Sequence, residues 1–342
     1  PVQVGGRIKP LDTLARKSLR ILNGKQVIRQ DGRKIGSTRW LLDVLFNGPA
    51  ADKHEVFLIH NPEVLGLLNL QQDDRNRFSY QELAPFVPQI DAQGRDAAQV
   101  EAPERSAYET SILNLFNSLS VYQRLKGSVR PGGGNGRFAA EIDEYLTWAP
   151  GGFEAMSRKN AGQKYDQETL GVFTGMVNRY QALHGSGYLR PIPSRNDAPE
   201  WQTTGGALLA VSTDGKLDPA ARAYAEIGDA FVAGDAATFN GKVDSLLSTL
   251  KQAEPDATSR TSLEFLFNQV DPFFRCMWLY VLAFLLACGS WLGKGPALRR
   301  SAFVLLVATL IIHSLGLVAR MYLSGRPPVT NLYSSAIFIG WG

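Results

Sequence analysis

The chain has few cysteines and histidines, and it has no acidic residue after Asp271. Its 342 residues include two cysteines, four histidines and 32 acidic residues. The cysteines, Cys276 and Cys288, lie in one apolar run and would be about 18 Å apart along a helix, so they cannot form a disulfide bond with each other. Neither belongs to a C-x-x-C-H haem attachment sequence, which excludes a c-type cytochrome.

The tail that lacks acids carries the net positive charge of the chain. Of 36 basic residues, six lie after Asp271, which leaves 30 basic against 32 acidic groups before it. A basic chain raises the question of a nucleic-acid partner, but this basic excess flanks apolar runs. The predicted partner is therefore membrane lipid and not nucleic acid. The six basic residues are Arg275, Lys294, Arg299, Arg300, Arg320 and Arg326.

Two apolar runs, residues 273–292 and 302–323, are each close to the roughly 20 residues that a helix needs to cross a bilayer. The alternative is a pair of buried helices in a soluble core. Both runs are apolar on all faces, which favours membrane spans. A third run begins at about residue 335 and is cut off at Gly342, and the chain opens on Pro1. We therefore expect a fragment of a longer membrane protein.

The short loop "GKGPALRR" predicts how the spans are oriented. It holds three basic residues and no acid, which places it in the cytoplasm by the positive-inside rule. Residues 1–258 and the segment "SGRPPVTNLYSS" then lie on the outer side of the membrane. Arg320 and Arg326 are also on the outer side, and they oppose this assignment without outweighing the cluster.

The predicted fold class is mainly α. Residues 1–258 form a mostly helical extracytoplasmic domain, of one or two subdomains, with a few short strands, and residues 259–342 form the transmembrane region. Asp12 is a candidate cap for the first helix, "SYQE" fits a capping box, and Pro272 predicts a kink before the first span. Helices are predicted at 10–24, 37–48, 104–126, 166–187, 218–234, 236–255 and 261–272, and strands at 54–61 and 206–212.

The outer domain offers weak candidates for chemistry. His54 and His60 would share a face of a strand, so they are either a metal pair or two surface histidines. His184 lies near Ser186, but the G-x-S-x-G pattern of hydrolases is not met. The glycine-rich stretch 128–138 lacks the spacing of a phosphate-binding loop and predicts an ordinary loop. These features predict a docking module and no enzyme.

His313 differs because it lies about 16 Å into the second run, near the bilayer midplane. Ionisable groups at that depth usually face a bundle interior, a cavity or a ligand. Thr309, His313, Gly316 and Arg320 share one stripe of the helix, and Gly316 leaves space for a close helix or a flat cofactor. From the residues alone, a cofactor ligand and an interhelical hydrogen bond are both open.

The end of the chain, "RMYLSGRPPVTNLYSSAIFIGW", resembles a stretch of the CcsA/ResC-type cytochrome c assembly proteins. That stretch reads roughly R-W-x-x-S-G-H-x-P-x-S-N-L-Y-E-S. Arg326, Thr330 and Ser334 depart from the pattern. "GGRIKPLDTLARKSLRILNGK" and "SLEFLFNQVDPF" also resemble the outer domain of longer family members. The matching residues are Arg320, Ser324, Gly325, Pro328, Asn331, Leu332, Tyr333 and Ser335.

This resemblance implies a haem-handling protein of the bacterial cytoplasmic membrane, which delivers haem to apocytochrome c on the outer side. It implies a ResB-type partner or fused domain, and part of a cytochrome c synthase if the family's tryptophan-rich loop follows Gly342. The alternative function is a membrane-anchored scaffold or receptor that binds a partner protein without a cofactor.

Under the haem hypothesis, His313 is an axial iron ligand or lies next to one, and Gly316 leaves room for the macrocycle. Arg320 and Arg326 pair with the propionates, or else they extend to lipid headgroups. The implied cofactor-binding residues are His313, Gly316, Arg320, Arg326, Asn331 and Tyr333. The second iron ligand would come from a further segment or a partner chain.

Overall fold

A computed structural model describes residues 1–71, 76–132, 137–194, 200–211, 216–292, 295–325, 327, 329 and 332–342. The chain divides into two compact units, Pro1–Thr258 and Ser259–Gly342. We call them the N-terminal unit and the C-terminal unit. The chain is mainly helical with a few short strands, which confirms the predicted fold class.

The strands of the N-terminal unit form three antiparallel pairs. Strand β5 confirms the strand predicted at 54–61, although it is shorter. The turn between β3 and β4 is Asp31-Gly32, and both residues have positive φ, as a tight hairpin requires. The pairs are β1 (Val2–Val4) with β2 (Arg7–Lys9), β3 (Val27–Gln30) with β4 (Arg33–Gly36), and β5 (Glu55–Leu58) with β6 (Arg77–Ser79).

Helices make up most of the N-terminal unit, and one of them begins at a capping box that the sequence predicts. Ser79 and Glu82 form the predicted capping box, and Asp218 caps the helix that begins at Pro219. The helices are α1 (Leu11–Asn23), α2 (Ser37–Phe46), α3 (Gly48–Ala51), α4 (Pro62–Leu67), α5 (Tyr80–Leu83), α6 (Val87–Gln99), α7 (Ala107–Lys126), α8 (Phe138–Asn160), α9 (Gln167–Ser186), α10 (Thr204–Leu209), α11 (Pro219–Ala233) and α12 (Ala236–Ala253). Helix α13 (Pro255–Val270) begins in the N-terminal unit and has most of its residues in the C-terminal unit.

Two sequence predictions in this unit are wrong. Within residues 206–211, which the structure describes, the predicted strand at 206–212 is not formed, because Thr204–Leu209 is helix α10, capped by the Thr203 side chain. Asp12 does not cap α1. Pro10 occupies the cap position, and Asp12 lies inside the first turn, where it accepts a hydrogen bond of 2.8 Å from Arg16.

The core of the N-terminal unit has two clusters of buried apolar side chains. Trp40 and Tyr122 are among the largest fully buried residues of the first cluster. In the second, the ring of Tyr145 stacks on Phe173 at 6.2 Å and meets Tyr180 edge-on at 4.9 Å. The second cluster therefore packs α8, which carries Tyr145, against α9, which carries Phe173 and Tyr180.

The C-terminal unit contains α14 (Pro272–Gly289), a short 3₁₀ turn (Ser290–Leu292), α15 (Gly295–Ser324) and α16 (Leu332–Trp341). The predicted kink is confirmed as a break, because Asp271 separates α13 from α14 with φ 42° and ψ 62°. Helix α15 begins seven residues before the predicted start of the second span, so residues 295–300 of the basic loop are helical.

Two helical segments, Pro255–Leu292 and Gly295–Ser324, are long and apolar enough to cross a membrane. Only 11% and 28% of their most apolar windows are buried, whereas the core helix of a soluble protein is mostly buried. Large side chains such as Phe284 and Leu315 are exposed on them. The segments therefore indicate membrane association.

Candidate functional site

His313 lies on the buried face of α15, where this helix packs against α14. Its residue exposure is 6%, although most large side chains around it on α15 are exposed. Thr309, Gly316 and Leu317 are buried on the same face, and Arg320 is half-buried. The helical period therefore turns the predicted stripe towards the neighbouring helix.

The imidazole of His313 is held on one side only. Its Nδ1 shares a hydrogen bond of 3.3 Å with the hydroxyl of Tyr280 on α14. The rings of Phe273 and Tyr280 meet it edge-on, with centroids at 5.6 Å and 5.9 Å. Within the described part of the chain, no hydrogen-bond partner reaches the buried Nε2. Nε2 is thus a polar atom that the described residues leave unsatisfied.

The two tautomers of His313 have different consequences. If Tyr280 donates to Nδ1, the proton of the neutral ring lies on Nε2, and a buried donor without an acceptor costs about 1–3 kcal/mol. If Nδ1 donates to Tyr280, Nε2 carries a free lone pair. Histidines that bind metals usually donate their other N–H to a fixed oxygen in this way. Of the two tautomers, only this second one leaves Nε2 free to bind a metal.

Gly316 allows a close approach of the two helices. A Cβ atom built on it would lie 3.3 Å from Cε1 of Phe273 and 3.6 Å from Cβ of Pro272. Of the two roles that the sequence leaves open, a close helix is the one seen, because the Phe273 ring fills the space beside Gly316. A macrocycle on His313 would have to approach from the Nε2 side.

Arg320 lies one turn beyond Gly316 on the same stripe. Its Nη2 donates a hydrogen bond of 2.7 Å to the hydroxyl of Ser334 on α16, and its guanidinium lies 5.9 Å from the Phe273 ring centroid. Arg320 thus ties α16 to α15, and its predicted role towards a propionate stays a prediction. Arg326, Asn331 and the side chain of Tyr333 lie outside the described residues.

Sequence reasoning missed Tyr280. Phe273, Cys276 and Tyr280 follow one another at helical spacing, and these residues face α15. A hydroxyl in an apolar run was visible in the sequence. Its pairing with His313 was not, because that requires the register of the two helices.

The other histidines are bound in structural contacts or exposed. His54 Nε2 lies 3.0 Å from the buried carboxylate of Asp43, and His60 is exposed. His184 Nδ1 lies 2.7 Å from the Thr203 hydroxyl, and the nearby Ser186 hydroxyl donates to the carbonyl of Ala182 at 2.8 Å. Among the described residues, no group of three or more His, Cys, Asp or Glu is arranged to hold a metal ion.

A charged network in the N-terminal unit fixes its core. Asp52 accepts hydrogen bonds from Lys126 at 2.6 Å and from the Tyr122 hydroxyl at 2.8 Å. Burial, and then the nearby Asp52 carboxylate, raise the pKa of Tyr122, so that the phenol stays protonated. These hydrogen bonds tie α7 to Asp52, the residue that follows α3. The three side chains are bonded to one another, so this network is structural.

Comparison with known proteins adds no functional assignment. No protein-family model matches the chain, and no curated protein is significantly similar to it. The resemblance to CcsA/ResC-type proteins therefore rests on the quoted residues of the tail and of the N-terminal unit. The roles that it implies remain predictions.

Proposed function

We propose that this chain belongs to a membrane haem-handling protein of cytochrome c assembly. One observation carries the proposal: a buried imidazole in an apolar helix, with Nδ1 on a tyrosine hydroxyl and Nε2 without a partner among the described residues. Proteins rarely place an ionisable group in a membrane helix without a functional reason. The motif that follows α15 adds the haem family as the context.

His313 would hold the cofactor through Nε2, and Tyr280 would orient the ring through Nδ1. Bound haem would supply the group that the cysteines of an apocytochrome's C-x-x-C-H sequence take up as thioethers. Arg320 and Arg326 would pair with the propionates at the outer end of α15. The N-terminal unit would dock the apocytochrome or a ResB-type partner.

Haem binding is tested on protein expressed with a haem supply and purified in detergent. We expect a Soret band in the visible spectrum, and we expect His313→Ala to lose haem or to shift the spectrum, with partial recovery on added imidazole. His60→Ala is the matched control, because it removes an exposed histidine of the N-terminal unit. If His313→Ala keeps the haem content and the spectrum of the unmodified protein, His313 is a packing residue and not a haem ligand.

The spectrum of the unmodified protein also separates the two functions. Absence of a Soret band under haem-replete expression favours the alternative, a membrane-anchored scaffold or receptor whose N-terminal unit binds a partner protein. If the protein binds haem and no histidine substitution changes the haem content or the spectrum, the iron ligand is a residue other than histidine.

The proposed side of the membrane rests on Lys294, Arg299 and Arg300, the basic cluster between the spans. Protease added to intact spheroplasts should then cut the N-terminal unit. Protection in intact spheroplasts, with cleavage only after lysis, would reverse the orientation. It would then refute the docking of an outer-side apocytochrome by the N-terminal unit, but not haem binding by His313.

A further inference from the structure

Two exposed charges of opposite sign lie at the break between α13 and α14. Asp271 occupies the cap position of α14 without capping it, and Arg275 follows four residues later. Neither side chain has a hydrogen-bond or ion-pair partner in the described part of the chain. The same spacing inside α1 gives a 2.8 Å ion pair between Asp12 and Arg16. At the break that pair is not made, because the left-handed φ of 42° takes Asp271 out of the helix.

Contacts with α15 fix the level of these charges along the spanning helices. Phe273 lies against Gly316, because a Cβ atom built on that glycine would be 3.3 Å from its ring. Three residues further along α14, the Cys276 thiol lies 3.9 Å from the carbonyl oxygen of Thr309. Arg275 lies between these two contacts, so it is level with the stretch of α15 from Thr309 to Gly316.

That level is far from both ends of the second apolar run, residues 302–323. Positions 309 and 316 are each seven residues, or about 10 Å, from the nearer end of the run. Asp271 is about 6 Å nearer to the end at 323, which leaves it inside the run as well. In a membrane, both charges therefore lie at hydrocarbon depth. Charged side chains are costly there, and they usually face another helix or a cavity and pair with one another.

The two charges begin a row of exposed residues that has the spacing of a helix seam. The row is Asp271, Arg275, Trp278, Leu282 and Leu285, and we call it the seam of α14. Its members are separated by four, three, four and three positions. This alternation keeps the same residues of two paired parallel helices facing each other. Trp278 and Leu285 are each 58% exposed, so the described residues leave the seam open.

The seam lies on the side of α14 that faces away from α15. Phe273, Cys276 and Tyr280 face α15. At 100° per residue, their mean direction is about 170° from that of the seam. The seam is therefore free to meet a further helix without displacing α15.

A second copy of the chain matches the seam in charge and in spacing. Two copies with the same orientation in a bilayer are related by a twofold axis along the membrane normal, so equivalent residues lie at the same depth. Asp271 of one copy and Arg275 of the other then differ in depth by about 6 Å, which a long arginine side chain covers. The symmetry forms this pair twice and leaves no seam charge unpaired.

We propose that the seam of α14 binds the seam of a second copy of this chain, with Asp271 of each copy paired with Arg275 of the other. The apolar residues further along the seam pack against their equivalents. His313 takes no part in this interface, because it lies on the opposite side of α14. The proposal rests on the membrane placement within the proposed function and does not depend on haem.

Charge reversal tests the pairing in the full chain. Two copies with different tags are co-expressed and solubilised in mild detergent with a reductant, and capture on one tag is followed by recovery of the other. Asp271→Arg in both copies, or Arg275→Asp in both, places like charges opposite each other. One copy with each change restores two opposite-charge pairs between copies, although neither copy can form such a pair within itself. Glu154→Arg is the matched control, because it reverses one charge of an exposed pair with Arg158 at the same spacing.

We expect recovery of the second tag to fall several-fold for each reversal alone and to return to the unmodified level for the mixed copies, with no change for the control. No recovery from the unmodified chain, recovery that ignores both reversals, or mixed copies that recover no better than either reversal alone overturns the proposal. An alkaline carbonate wash of the membranes checks the placement separately. A chain that washes off refutes the membrane placement itself, whereas a chain that stays confines a negative result to the seam.

Discussion

Replacing Tyr280 by phenylalanine separates a haem ligand from a packing residue. The change removes only the hydroxyl that lies 3.3 Å from Nδ1 of His313 and keeps the edge-on ring contact. Loss of such an outer hydrogen bond usually weakens metal binding about 10- to 100-fold. Because 3.3 Å is long for a hydrogen bond, we expect the lower end, about tenfold or about 1.4 kcal/mol.

The assay is titration of haem into the protein in lipid nanodiscs, followed by absorbance. Tyr322→Phe is the matched control, since it removes an exposed hydroxyl from the end of α15 and should leave haem affinity unchanged. The reasoning is refuted if Tyr280→Phe leaves haem affinity unchanged and only lowers the free energy of unfolding, by the about 0.5–1.5 kcal/mol expected for one lost hydrogen bond. Tyr280 and His313 would then be a packing pair only.

Three further predictions concern the N-terminal unit. The carboxylate of Asp229 on α11 caps α8, because it accepts 2.9 Å hydrogen bonds from the first two backbone amides of α8. We expect Asp229→Ala to lower the free energy of unfolding by about 1–2 kcal/mol and to speed hydrogen exchange in the first turn of α8. Unchanged exchange there would contradict this prediction. Gly205→Ala would put Cβ 2.4 Å from a backbone nitrogen of α9 and should lower the melting temperature, whereas Gly175→Ala, with open space around it, should raise it slightly; equal effects would contradict the close packing. Hydrogen bonds from Thr169 hold the pKa of the Asp166 carboxyl below its ordinary value of 3.8. The stability that the Asp166 cap gives to α9 is therefore present at neutral pH and is lost only as the pH falls through this lowered pKa. An NMR titration midpoint at or above 3.8 would contradict this prediction.

Elements bounded by local signals could be predicted from the sequence. Ser79 with Glu82 begins α5, Asp218 before Pro219 begins α11, and Gly24 ends α1 in the left-handed conformation. Each signal acts through hydrogen bonds to residues a few positions away. Tertiary contacts are not needed to recognise it.

Elements that depend on tertiary packing were missed or wrong. Helix α8 contains Pro150 and two glycines, residues that usually interrupt helices, and a Cβ on Gly152 would lie 2.2 Å from Phe173. Helix α10 was predicted as a strand, because a short apolar run has no clear period. Its Gly205 lies directly against the backbone of α9, and this contact cannot be recognised from the segment alone.

The candidate site divides in the same way. The stripe of Thr309, His313, Gly316 and Arg320 follows from the helical period and the depth of one run. The unsatisfied Nε2, the Tyr280 hydroxyl and the Phe273 ring beside Gly316 depend on how two helices are paired. The pairing of α14 with α15 cannot be read from the sequence of either helix alone.

The central claim, that His313 is a haem ligand, is tested most directly by detecting its nitrogen at the iron. The chain has four histidines, so replacing His54, His60 and His184 by glutamine leaves His313 as the sole histidine. The variant is labelled with ¹⁵N-histidine, purified on a histidine-free tag, loaded with ferric haem in nanodiscs and measured by electron–nuclear double resonance. The account predicts ¹⁵N coupling to the iron, lost in His313→Ala. Bound haem without ¹⁵N coupling in the sole-histidine variant would contradict it.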